Sequence, residues 1–222
     1  MSMNLKAKIN KPALKRYKDS LRYALYIMTH PFDGFWDLTH EKRGSMAAAN
    51  TLLILTFLTN LWNMRYKNFM FNDVRWERVN IWSQVAGILA PLLLYVVANW
   101  CLTTLFDGKG RMKDVYMGMC YSLTPYILIV NPVTIISNVV TREEGAFITY
   151  FEALALAWAF ALILVSVMQI HDYSLGKAIL AIIFSAVGMM IIVFLVMLFF
   201  SLVSDAIGFF ISVGKELLLR VY

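Results

Sequence analysis

Few residues in this 222-residue chain are of a type that does chemistry. The three histidines are His30, His40 and His171, and none has a second ligand at metal-binding spacing. Cys101 and Cys120 fall in or beside apolar runs, where buried thiols are expected rather than a disulfide or a metal pair. No nucleophile elbow, zinc-helix pattern or carboxylate pair with a serine partner occurs. The sequence therefore predicts no catalytic residue, no metal and no cofactor. What stands out is a charged stretch, Asp107-Gly108-Lys109-Gly110-Arg111-Met112-Lys113-Asp114, between two apolar runs. Its glycine spacing matches neither a P-loop nor a dinucleotide fingerprint, and no strand precedes it. It reads as a tight helix-to-helix turn with positive-φ glycines, offering Asp107, Lys109, Arg111 and Asp114 to a protein partner. His171-Asp172, after a later apolar run, shapes another such turn and is likewise expected to meet a protein partner.

A second set of polar residues lies inside apolar stretches. Pro125 and Pro132 are seven apart and so share nearly one helix face. Each removes a donor and frees the carbonyl four residues back, on Tyr121 and Leu128. In lipid those carbonyls need partners. Thr124, Asn131 and Ser137 can line a polar seam with the prolines, and Glu152 is a carboxylate one turn inside the next run. The seam reads either as a path for a small solute or ion, or as a packed kink. Glu152 is either a functional intramembrane acid or a side chain reaching the surface.

These residues must be positioned by membrane helices. Hydrophobic residues make up 60% of the chain, charged ones 15%, and the mean hydropathy is +0.65. A soluble domain needs more polar surface. About 20 helical residues cross a hydrocarbon core about 30 Å thick, and such runs recur over 46–64, 81–106, 115–140, 147–170 and 178–203. The expected fold is an all-α, polytopic membrane bundle with five transmembrane helices. An N-terminal segment, 1–45, precedes this 46–203 membrane domain, and an amphipathic helix, 204–222, follows it. Residues 1–22 lack the apolar stretch of a cleavable signal peptide, so the first span is expected to direct its own insertion.

Within the first segment, Leu14, Tyr17, Leu21, Leu25 and Met28 form one apolar stripe, with Lys15, Arg16, Lys18 and Arg22 off it. That helix either lies in the interface or packs on the protein's own spans. His30-Pro31 ends it. Phe32, Asp33, Phe35 and Trp36 follow as a boundary anchor and a further candidate docking surface. With five crossings, 13 of the 20 Lys and Arg fall on the N-terminal side, which predicts a cytosolic N-terminus and an extracytoplasmic C-terminus. The formal charge of +6 thus speaks for a membrane surface, and no nucleic-acid partner is expected. Alanines at 153, 157 and 161, with Ala155 and Ala159 between them, and Ala181 with Ser185 in the next run suggest close helix contacts, within the bundle or in a homo-oligomer.

Three stretches carry a resemblance. They are His30-Pro31-Phe32-Asp33-Gly34-Phe35-Trp36, then Leu105-Phe106-Asp107-Gly108-Lys109-Gly110 leading through Tyr116 to Tyr121-Ser122-Leu123-Thr124-Pro125-Tyr126, and His171-Asp172-Tyr173-Ser174. Over about 25–203 the chain resembles the Yip (Ypt-interacting protein) family, and its bacterial branch most. The resemblance implies a helical membrane module without known catalysis, placed in the bacterial cytoplasmic membrane. The Asp-Leu-Tyr-Gly-Pro signature of the eukaryotic adaptors is absent, so no GTPase-binding role passes to any residue here. Some bacterial relatives are encoded beside carbohydrate ABC importers. The expected function is therefore a non-enzymatic scaffold or accessory subunit, with the bilayer and transporter permease subunits as partners. The alternative is a small-solute or ion transporter or channel using the proline-broken third span.

Overall fold

The computed structural model describes residues 11–72, 79–105 and 108–221, and all regular structure among them is helical. The order is α1 (Lys11–Thr29), α2 (Pro31–His40), α3 (Met46–Tyr66), α4 (Ile81–Leu105), α5 (Met112–Ser122), α6 (Thr124–Ile136), α7 (Gly145–His171) and α8 (Leu175–Val221). Short 3₁₀ turns occupy Phe69–Phe71 and Arg142–Glu144. Trp76, Phe106 and Asp107 lie outside the described residues.

Four stretches are long and apolar enough to cross a membrane: Ile81–Thr104, Met112–Ile136, Arg142–His171 and Leu175–Glu216. The protein is a multi-pass helical membrane bundle. The helix expected as first span, α3, is less apolar because Asn50, Thr51, Thr56, Thr59, Asn60 and Asn63 interrupt it. It nonetheless runs between the same two ends of the bundle. At one end the Ser45 amide donates to Tyr121 Oη at 3.4 Å. At the other the Asn68 amide donates to Ser137 Oγ at 3.1 Å. The first end also carries residues 108–114 and 171–175, and the second carries 137–145, where Phe71 packs on Gly145. Exposed Trp62, Tyr66, Trp82 and Tyr150 ring the second end; Tyr26, Trp36 and Trp100 ring the first. Such aromatic belts mark headgroup levels.

Each element has a local cause. Pro31 opens α2 at its first turn, where a missing amide proton costs nothing. Ser45 caps α3, its Oγ accepting from the Ala48 amide at 3.1 Å. Asp172 ends α7 in the left-handed region, at φ 55° and ψ 42°.

Helices α1 and α2 fold back on each other. A Cβ on Gly34 would stand 3.0 Å from the Ile27 Cα, so glycine is what lets the two backbones approach. Tyr23 Oη donates to the Gly34 carbonyl at 3.0 Å. Burial first, then the Asp37 charge, raises the Tyr23 pKa, which keeps that donor proton in place. Of the two placements open for α1, packing on the protein's own helices is observed. Ser20 Oγ meets Tyr121 Oη at 3.0 Å, Tyr17 Oη meets Thr51 Oγ1 at 2.7 Å, and Ala24 and Ile27 enter the core.

Four expectations need correction. Phe35 is fully buried with Ile27 and Leu38, so it belongs to the core rather than to a docking surface; Phe32, Asp33 and Trp36 remain exposed. Ala153, Ala157 and Ala161 are exposed, so the contact within the bundle falls to Ala155 and Ala159, with Leu162 and Ser166, on the packed face of α7. Cys101 is exposed while Cys120 is buried, and both are free thiols. Finally, no helix boundary occurs near Ser204. Helix α8 is 47 residues long, about 70 Å at 1.5 Å per residue. Only its first half packs, where Ala178, Ala181 and Ser185 are buried and Gly188 meets Ala98 and Leu102 of α4. From 193 to 213 every residue is exposed.

Candidate functional site

Five of the residues expected to carry partner contacts gather at one corner of the first end. Residues 108–111 lie on the C-terminal end of α7. The Gly110 amide donates to His171 Nδ1 at 3.3 Å, which makes Nδ1 the acceptor. The proton then sits on Nε2, which donates to Asn99 Oδ1 at 3.1 Å. Asn99 Nδ2 passes the chain on to Ser185 Oγ at 3.1 Å, and Ser185 donates to the Ala181 carbonyl at 2.7 Å. Asn99, His171 and Ser185 are all buried. One uncharged network thus ties α4, the 108–111 turn, α7 and α8 together.

The glycines of this turn serve close approach. None of the described glycines has positive φ, contrary to expectation. A Cβ on Gly110 would lie 2.6 Å from His171 Cε1, and one on Gly108 would lie 2.8 Å from His171 Nδ1. Any side chain there would lift the turn off α7.

On the outer side of the corner, Lys109 Nζ pairs with Asp172 Oδ2 at 3.0 Å. Arg111 Nε donates to Asp114 Oδ2 at 2.9 Å, and that hydrogen bond is the first cause of the raised Arg111 pKa. Asp114 sits in the first turn of α5, where a negative charge suits the helix dipole. Its side chain is only 10% exposed, so it anchors Arg111 rather than facing a partner. Lys109 and Arg111 are largely exposed, at 73% and 69%. Asp107 lies outside the described residues.

The polar seam is present but differs from expectation. Pro125 stands in the first turn of α6, after a break at Leu123, and is not a kink inside one helix. The Tyr121 carbonyl it frees accepts from Thr124 Oγ1 at 2.7 Å. Pro125 is buried whereas Pro132 is exposed. Asn131 Nδ2 donates to both Thr59 Oγ1, at 2.9 Å, and the Ile127 carbonyl, at 2.8 Å. Glu152 is held by α3: Lys67 Nζ reaches its two oxygens at 2.7 and 2.8 Å, and Asn63 Nδ2 donates at 3.1 Å. The partners on α3 went unrecognised from sequence, although Thr56, Thr59, Asn60, Asn63 and Lys67 follow helical spacing and mark a polar stripe.

The ion pair is mostly enclosed, with side-chain exposures of 14% for Lys67 and 26% for Glu152. Removing one partner of a buried pair costs about 3–5 kcal/mol, and partial exposure here brings the expectation to about 1–3 kcal/mol. Lys67→Met should therefore lower thermal stability in mild detergent. Lys67→Met with Glu152→Leu should regain most of the loss, because no charge is left unpaired. Wild-type melting of Lys67→Met would show that the pair carries no stability.

Among the described residues, no cluster of three or more His, Cys, Asp or Glu could hold a metal ion. Comparison with curated proteins and with solved structures returned no match. A family profile, that of the Yip1 domain, matches residues 25–209, a range that takes in α2 through most of α8 and every residue of both sites. By that match over most of its length, the chain belongs to the Yip1 domain family.

Proposed function

We propose that this protein is a non-enzymatic scaffold or accessory subunit of a membrane complex, docking its partner through the corner formed by residues 108–114 and 171–174. The observation that carries the reading is the contrast within that corner. Its inner side is an uncharged, buried network through His171, Asn99 and Ser185. Its outer side presents Lys109, Arg111 and Asp172 on a backbone held against α7. Charged groups pre-positioned on a rigid support bind with little loss of freedom. Exposed Phe32 and Trp36 on α2 add apolar anchors to the charged surface. The excess of basic residues on this side supports a cytosolic placement. A partner in the same membrane, such as the permease subunit of a carbohydrate importer, fits the family resemblance.

The test reverses the charges while keeping the local pair. Lys109→Glu combined with Asp172→Lys preserves an ion pair within the corner. After cross-linking in intact membranes and purification in a gentle detergent, the co-purified partner should fall roughly tenfold or more, the size of a hot-spot effect. An unchanged partner yield would place the docking surface elsewhere. A cysteine introduced at position 109 should react only with a membrane-permeant thiol reagent; labelling from outside alone would reverse the orientation.

A further inference from the structure

Two cavities beside α3 adjoin each other. One, of about 190 Å³, is lined by Asn60, Asn63, Lys67, Tyr126, Glu152 and Leu156 among others. The second, of about 490 Å³ and almost wholly apolar, is walled by α3, α4, α7 and α8 with Met119, Leu123 and Tyr126. Asn60, Tyr126 and Leu156 line both, so the two adjoin across a shared wall and together make a cleft with an ionic mouth and an apolar body.

The dimensions fit one leaflet. From Glu152 at the mouth to Ile163 in the body is 11 residues of α7, or about 16 Å at 1.5 Å per residue. That is close to half of a hydrocarbon core about 30 Å thick. The mouth lies at the level of Tyr66 and Tyr150, exposed aromatics of the second belt, where headgroups sit. Pro91, Leu156, Phe160 and Ala186 on the walls are exposed, so the cleft opens sideways toward lipid.

Tyr95 marks the far end of the apolar cavity. It lines the apolar cleft, is 9% exposed, and its hydroxyl has no hydrogen-bond partner among the described residues. The mouth holds one positive and one negative group, Lys67 and Glu152. A head carrying both charges complements it, whereas a purely anionic head would meet Glu152 unfavourably.

We propose that this cleft binds a bilayer lipid with a zwitterionic aminophosphate head, its phosphate toward Lys67, its amine toward Glu152 and one acyl chain laid along Tyr126 and Leu156 to Tyr95. The site is separate from the docking corner and does not depend on it. The full-length protein is reconstituted in phosphatidylglycerol liposomes doped with a diazirine-acyl phosphatidylethanolamine, and photo-adducts are mapped by peptide. Adducts are expected on 88–95 and 156–163, reduced about fivefold by excess unlabelled phosphatidylethanolamine but not by extra phosphatidylglycerol. Ala186→Trp, at an exposed wall position that leaves helix packing intact, should reduce the same adducts about as much while those on 193–213 persist. Cleft adducts indifferent to both headgroup and Ala186→Trp would mean annular lipid only and overturn the site. Adducts lost in Ala186→Trp yet displaced equally by both lipids would overturn the zwitterionic head.

Discussion

Gly118→Leu is expected to separate α5 from α7 and to destabilise the bundle by about 3 kcal/mol or more, beyond the usual 1–3 kcal/mol of an overpacked core. Gly118 is buried in the middle of α5, where a Cβ would overlap Ser166 Oγ and stand 2.7 Å from Ile170 Cδ1. Helix propensity alone argues the other way, since a side chain is worth up to about 1 kcal/mol over glycine in a helix. The steric term wins because Ser166 and Ile170 are themselves buried on the packed face of α7 and have nowhere to go. At 2–4 °C per kcal/mol, the loss corresponds to roughly 6–12 °C in Tm. Cys120 gives a direct reading: its thiol is buried, so a thiol-reactive dye in a Cys101→Ser background follows the opening of this interface. Gly118→Ala should show a smaller loss that Ser166→Gly partly restores, a coupling that a double-mutant cycle measures. Wild-type melting of Gly118→Leu would show that the close approach of α5 and α7 does not hold the bundle.

What the sequence revealed and what it hid follow from the range of the interactions. Helix spans and the 108–114 turn were legible because they are local: apolar runs, Pro31 and the glycine-flanked Lys109 all act within a few residues. The seam was only half legible. Glu152 was visible as an acid in an apolar run, but its partner Lys67 is 85 residues away. Asn and Thr at helical spacing in α3 look the same whether they face water, lipid headgroups or another helix. Phe35 failed for a similar reason. Phe32, Phe35 and Trp36 share a composition typical of a boundary, and only the docking of α2 on α1 through Gly34 turns Phe35 inward while leaving the other two outside. The cleft at Tyr95 had no sequence signal, because it is space left between helices rather than a property of any one of them. The length of α8 was masked by Asp205 and Ser212, polar residues that resemble the end of a span although the helix continues past them.

His171→Leu is expected to release the docking corner while leaving the bundle assembled. Leucine fills a similar volume but cannot accept from the Gly110 amide or donate to Asn99 Oδ1. Asn99 is fully buried, so its oxygen would be left without a partner where no water reaches it. Two polar groups unpaired at about 1–3 kcal/mol each give an expected loss of about 2–6 kcal/mol, concentrated where 108–111 meets α7. The readout is limited trypsin cleavage at Lys109 and Arg111, which should quicken in detergent before any change in the thermal transition of the remaining helices. Adding Asn99→Leu should recover part of the stability, since replacing both partners by apolar groups removes the orphan. It should not restore protection of the turn, because the Gly110 amide still lacks an acceptor. Partner recovery should fall with the loosened turn even though Lys109 and Arg111 are still present, which separates their charge from their positioning. Resistance to trypsin in His171→Leu would mean that the exposed Lys109–Asp172 pair holds the corner unaided, a task beyond the roughly 0–1 kcal/mol typical of a surface ion pair.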